Sequence, residues 1–142
     1  MKKFYLPNET AFMEPLHHLV DRLITSFLPT AVRHHNVFIN DIPVDMPVEY
    51  NNEWVASVIS GMIATITGNS KNNCIRLSAK KYGYVFVLEI KSTARATNHP
   101  LNPDLQQMQQ LAEKIGGCLF INNQNEEKTM MSFSFPNLPI AA

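Results

Sequence analysis

The chain has 142 residues, 45% apolar and 17% charged, with 12 Lys and Arg balanced by 12 Asp and Glu. That length fits a single domain over 1–142 with a core large enough to need no disulfide or metal staple. Balanced charge with scattered basic residues lacks the electrostatic footprint of a nucleic-acid or anionic-lipid binder, so neither partner is expected.

Met1-Lys2-Lys3 is basic, but Phe4-Tyr5-Leu6 gives way at once to Pro7-Asn8-Glu9. No apolar signal-peptide core follows, and a cytoplasmic protein is expected. A short edge strand is expected at Phe4-Tyr5-Leu6. Pro15 suits the first turn of a helix whose apolar stripe is Leu16, Leu19, Val20, Leu23, Ile24, Phe27 and Leu28, at i, i+3, i+4 spacing. Pro29 should kink or interrupt it before Ala31 and Val32 carry a last turn to His34 and His35. Val37-Phe38-Ile39 reads as a strand, 41–47 as an extended connection, and Val48-Glu49-Tyr50 as a strand pairing back in a brief hairpin.

Asn52 is a suitable N-cap for the next helix. Trp54, Val55, Val58, Ile59, Met62, Ile63 and Ile66 form its wide buried face. The opposite face is Ser57, Ser60, Gly61, Ala64 and Thr65, small and uncharged where a solvated helix normally carries Lys, Glu or Arg. A ligand, a partner or the protein's own loops should cover it. The uncharged run from Trp54 to Ser70 approaches the length of a membrane span, but its glycines and hydroxyls make it too polar, so a core helix is expected.

After the loop at 68–73, Ile75, Leu77 and Ala79 alternate with polar neighbours in a half-buried strand. Tyr82-Gly83 turns the chain into a second strand, with Tyr84, Phe86, Leu88 and Ile90 on one face. Pro103 opens a third helix with Leu105, Met108, Leu111, Ala112 and Ile115 inward, ended by Gly116-Gly117 as a left-handed cap. Residues 118–121 and 129–135 form a closing hairpin. The order predicts an α+β fold: a two-layer α/β sandwich, its sheet mixed but mostly antiparallel, with about three helices on one face.

Several residues invite chemistry, and each has a plainer reading. His17-His18 and His34-His35 could suggest metal, but adjacent side chains on a helix diverge by about 100°. A polar helix edge and a helix C-terminus, where the macrodipole favours cations, account for them. Cys74 and Cys118 have no C-x-x-C partner and read as reduced core or strand-edge thiols. Glu89 and Glu113 lack a paired carboxylate, and Met130-Met131 reads as core and strand surface. No metal site is expected.

Two strings carry a resemblance. Leu28-Pro29-Thr30-Ala31-Val32 before Val37-Phe38-Ile39 is similar to the first helix and strand of a sensor-kinase ATP domain. Residues 111–121, Leu-Ala-Glu-Lys-Ile-Gly-Gly-Cys-Leu-Phe-Ile, followed by 129–136, Thr-Met-Met-Ser-Phe-Ser-Phe-Pro, resemble that family's terminal helix, Gly-Gly cap and strand pair. Over about 16–136 the chain resembles the histidine kinase-like ATPase domain, the GHKL or Bergerat fold of bacterial two-component signalling. The resemblance implies ATP and Mg²⁺ as cofactors and a response regulator or kinase subunit as partner.

The family's ligand positions are altered. Its two helical asparagines, the second of which holds Mg²⁺, fall on Ser60 and Ala64, and alanine has no oxygen for a metal that demands oxygen ligands. Its adenine-binding aspartate and Gly-x-Gly turn fall on 92–96, with Ser92, Ala94 and Ala96. A serine does not replace a charged acceptor, typically worth about 1.5–3 kcal/mol per hydrogen bond. Its lid shrinks to Thr97 to Leu101, and Asn102 and Asp104 stand in its phosphate-cradling glycine turn, where a carboxylate repels phosphate. With Ser57, Gly61 and Thr129, these residues form a remnant pocket or partner surface without catalytic residues.

Three readings follow. The first is a catalytically inactive ATPase domain without cofactor that works through a protein partner or as a self-dimer. The second is a divergent ATP-binding sensor kinase or anti-sigma-type kinase module. The third is a small-molecule sensor using the emptied pocket.

Overall fold

A computed structural model describes residues 14–48, 52–69, 71–92, 103–122 and 129–137. The elements run β1 (Glu14–Pro15), α1 (Leu16–Arg33), β2 (Val37–Asn40), β3 (Pro47–Val48), α2 (Asn52–Asn69), β4 (Cys74–Tyr82), β5 (Val85–Ser92), α3 (Pro103–Lys114), β6 (Cys118–Asn122) and β7 (Thr129–Pro136). The main sheet has the order β2-β4-β5-β7-β6. Among the described strands of this sheet, only β2 and β4 pair in parallel and the other pairs are antiparallel. The α+β sandwich read from the sequence is therefore the architecture observed. The expected strand at Phe4-Tyr5-Leu6 lies outside the described residues.

Period-two alternation decides which sheet face meets the helices. Ile75 and Leu77 of β4, Phe86, Leu88 and Ile90 of β5, and Met131, Phe133 and Phe135 of β7 are buried. Their neighbours Arg76, Lys80 and Lys91 are exposed on the opposite face. The layer above consists of Leu16, Leu19, Val20 and Ile24 of α1, Val55, Val58, Ile59, Met62, Ile63 and Ile66 of α2, and Met108 and Ala112 of α3.

Several sequence expectations change. Trp54 is 42% exposed rather than buried, because it sits in the first turn of α2, where Lys114 Nζ lies 5.9 Å from its ring centroid. Leu28, the last of the α1 stripe, is 44% exposed. Helix α1 runs through Pro29 without interruption to Arg33, since its packed stripe outweighs the single backbone hydrogen bond that proline removes. The strand at Pro47–Val48 pairs with Glu14–Pro15, not with β2. Asn40 Nδ2 donates to the His17 carbonyl and to Asp21 Oδ1, and His17 Nδ1 donates to the Ile42 carbonyl, which ties the end of β2 to α1. The β4–β5 turn also falls one residue later than expected, on Gly83-Tyr84 between the paired Tyr82 and Val85, leaving Tyr84 65% exposed.

Two helix ends fix how the layers meet. Helix α1 closes with His35 at φ 58, its N–H donating to Val32 O and the Asn36 N–H to Ala31 O. This is a Schellman cap with histidine in the place usual for glycine. His34 Nδ1 donates to Thr67 O of α2, and Asn36 Oδ1 accepts the Asn73 N–H, so the ends of α1 and α2 and the start of β4 are joined. Helix α3 ends in the expected glycine cap: Gly116 has φ 82, and the Gly117 N–H donates to Ala112 O at 2.8 Å. A Cβ on Gly117 collides with the Ser134 carbonyl oxygen and lies 3.3 Å from Phe135 Cα, both backbone atoms that cannot swing aside. Gly117→Ala is accordingly expected to lower stability in urea unfolding by about 2–3 kcal/mol. Gly116→Ala, which meets only Pro136 side-chain atoms at 3.5 Å or more, should lose about 1 kcal/mol.

At the start of α1, Arg22 Nη2 donates to Glu14 Oε1 at 2.8 Å, and His18 Nδ1 lies 2.6 Å from Oε2. The Arg22 hydrogen bond holds the Glu14 carboxyl below its ordinary value of 4.5, against the opposing effect of burial and with help from His18. A carboxylate depressed in the folded state adds stability above its unfolded pKa and loses it as pH falls through the folded value. Glu14→Gln should therefore lower stability at neutral pH and flatten the loss of stability below about pH 4.5, as read by denaturation midpoints across that range.

Candidate functional site

The candidate surface is built on α2 because its small-residue face is turned from the sheet. Ser57 and Ala64 are exposed, and Ser60, Gly61 and Thr65 are half-buried. What covers part of this face is α3. A Cβ on Gly61 would collide with Met108 Sδ and lie 2.7 Å from Met108 Cγ, so the absence of a side chain at 61 lets the third helix close onto the second. Glycine costs a helix interior about 1 kcal/mol relative to alanine. Burying Met108, 6% exposed, returns about 1.5–3 kcal/mol, so close packing wins. Thr65 Oγ1 donates to Gly61 O at 2.9 Å, which turns that hydroxyl back onto its own helix.

The sheet supplies the floor. The short link from α2 to β4 sets the C-terminal end of α2 over the Cys74 end of β4. At that end Ile75 is opposite Ser92, and Ser92 is opposite Thr129. Ser92 is 2% exposed, and the Thr129 hydroxyl oxygen is buried without a hydrogen-bond partner among the described residues. Two sequence-selected residues 37 positions apart thus become cross-strand neighbours beneath α2. Ala94, Ala96, Asn102 and the expected lid at Thr97 to Leu101 lie outside the described residues. Asp104 belongs to α3, but its side chain is likewise outside them.

The middle of this surface is uncharged: Ser57, Ser60, Gly61, Ala64 and Thr65 offer hydroxyls and small apolar groups, Ala64 has no ligand atom for a cation, and the charges Glu53 and Lys114 stand at its edge by the first turn of α2. Among the described residues, no group of three or more His, Cys, Asp or Glu could hold a metal ion. None of the described helices is long and apolar enough to cross a membrane. Sequence reasoning passed over Met108 and Lys114 as parts of this surface, because nothing in α3 alone says which residue of α2 it meets.

The arrangement has known counterparts. The histidine kinase AdeS of Acinetobacter baumannii matches with a TM-score of 0.77 at 13% identity, over 88% of this chain and 66% of that one. The catalytic domain of histidine kinase ThkA matches at 0.74 and 14% identity, over 88% of this chain and 95% of that one. This chain has the fold of a histidine kinase catalytic domain. ThkA in complex with the response regulator protein TrrA matches at 0.70 and 14% identity, over 90% of this chain and 42% of that one. This chain thus spans about two thirds of the AdeS chain and nearly all of the isolated ThkA domain. No family model and no curated protein matches the sequence.

The Gly61–Met108 contact is directly testable. Gly61→Ala should destabilise the wild-type chain by about 1 kcal/mol and stabilise a Met108→Ala background by a similar amount, since only the collision separates the two cases. Equal effects of Gly61→Ala in both backgrounds, measured by urea unfolding, would contradict close α2–α3 packing at this point.

Proposed function

We propose that this protein is a catalytically silent histidine kinase-like domain that acts through protein contacts in bacterial signal transduction. The observation that carries the reading is the joint chemistry of α2 and the sheet floor. In a retained histidine kinase fold, Ala64 stands where the resemblance places the magnesium-binding asparagine. Neutral Ser92, the cross-strand neighbour of Thr129, stands in the stretch where it places an adenine-binding carboxylate. Magnesium requires oxygen ligands in near-octahedral geometry, and a methyl group supplies none. Without the charged acceptor the base loses its strongest polar anchor. The residues present therefore do not fit Mg-ATP, and no phosphoryl-transfer step is assigned.

The surface that remains suits a protein partner. Trp54, Ser57 and Ala64 are uncharged and exposed, and small side chains on a helix admit close approach by another backbone. A response regulator or kinase subunit is the class of partner proposed, in keeping with ThkA and TrrA, which form a complex. Calorimetric titration with Mg-ATP into the low-millimolar range is expected to show no saturable heat, and incubation with labelled ATP no phosphohistidine. Saturable binding or phosphotransfer would replace this reading with that of a divergent kinase.

A further inference from the structure

Among the described residues the sheet ends on one side at β6, and the strand itself carries none of the usual guards. Natural edge strands are blunted by Lys, Pro, bulges or inward-pointing charges, because their unpaired N–H and C=O groups otherwise recruit another strand. The sequence of β6, Cys118-Leu119-Phe120-Ile121-Asn122, contains no charge and no proline, and its pairing with β7 runs without a break from Cys118↔Ser134 to Asn122↔Met130. Phe120 is 58% exposed on the open sheet face, and Cys118 on the same face is exposed. On the helix side Leu119 is buried, but Ile121 is only partly covered although it packs against the core. The opposite edge differs: β2 has four residues, and its last, Asn40, is held by α1 through His17 O and Asp21.

We propose that β6 is a homodimerisation edge at which a second copy of this chain adds antiparallel across a twofold axis through Phe120. The occupant follows from the strand's own pattern. In that register Phe120 faces Phe120 of the second copy, Leu119 faces its Ile121, and Cys118 faces its residue 122. Apolar residues then meet on both sheet faces, and an uncharged strand places no like charges opposite each other, which would oppose self-pairing. The half-covered Ile121 gains a neighbour in Leu119 of the second copy, so the two cores become continuous through a ten-stranded sheet. A twofold contact is isologous and closes at two chains, whereas a shifted register would propagate into fibres. Five paired residues make a small interface, below the roughly 1,200 Å² typical of stable complexes, so association is weak and concentration-dependent.

Sedimentation equilibrium of the full chain between roughly 10 µM and 1 mM should show a mass rising from monomer towards dimer, as a small interface requires. Phe120→Lys, which adds an edge guard at an exposed position, should keep the chain monomeric throughout with an unchanged unfolding midpoint. The register is tested by Asn122→Cys. Positions 118 and 122 of one strand are about 13 Å apart, too far for a disulfide within the chain. Mild oxidation of that variant should therefore yield a covalent dimer in which Cys118 of each copy is bonded to the thiol introduced at position 122 of the other, identified by peptide mass. The product should be lost when Cys118→Ser is added. A monomer at every concentration, a dimer that persists in Phe120→Lys, or a covalent dimer joined through other pairs would each overturn the proposal. So would a chain that stays monomeric yet binds an added extended apolar peptide at this edge, which would assign β6 to a foreign strand.

Discussion

The structure depends on α2 being packed on two sides. Its wide apolar face rests on the sheet, where Ile59, Met62 and Ile63 are fully buried, and its narrow face admits α3 at Gly61. Burying each large side chain contributes about 1.5–3 kcal/mol, so the sheet contact alone exceeds any cost of a glycine in the helix interior. The Met108 side chain of α3 then fills the space left by the missing side chain at 61. With α3 held there, its glycine cap delivers the chain to β6, and the bare backbone at Gly117 lets that turn lie against Ser134 and Phe135.

The same arrangement explains why the candidate surface is chemically quiet. Helix α2 and the ends of β5 and β7 converge, as in histidine kinase catalytic domains, but the described side chains on that convergence are Ala64, Ser92, Thr129 and their small neighbours. Fold and site chemistry vary separately, because apolar packing holds a fold and a few polar positions carry a site. The α2 stripe and the alternating strands do not depend on the residue at position 64, since it faces outward and contributes nothing to the core.

Much of this was legible without coordinates where periodicity was strong. The three helices, the β4–β5 and β6–β7 hairpins and the Gly116 cap could be read from residue order, since each depends on neighbours within a few positions. The misreadings share a cause. Trp54 lies on the apolar stripe of α2, but it falls at the helix end, where no second layer reaches. Val48 looked like a hairpin partner for β2, yet the strand it joins begins at Glu14, 34 residues earlier in the chain. Pro29 looked like a break, and tertiary packing on both sides carried the helix through it.

The candidate surface divides in the same way. Residue types by themselves determined that Ala64 cannot ligate a cation, that Ser92 carries no charge and that β6 has no guard residue, because these are properties of side chains wherever they lie. Only the tertiary structure decided that Met108 fills the space over Gly61, that Ser92 and Thr129 are adjacent, and that β6 rather than β7 is the outer strand. Those facts depend on contacts between segments tens of residues apart, whose pairing is selected by how the whole core closes and not by any local pattern.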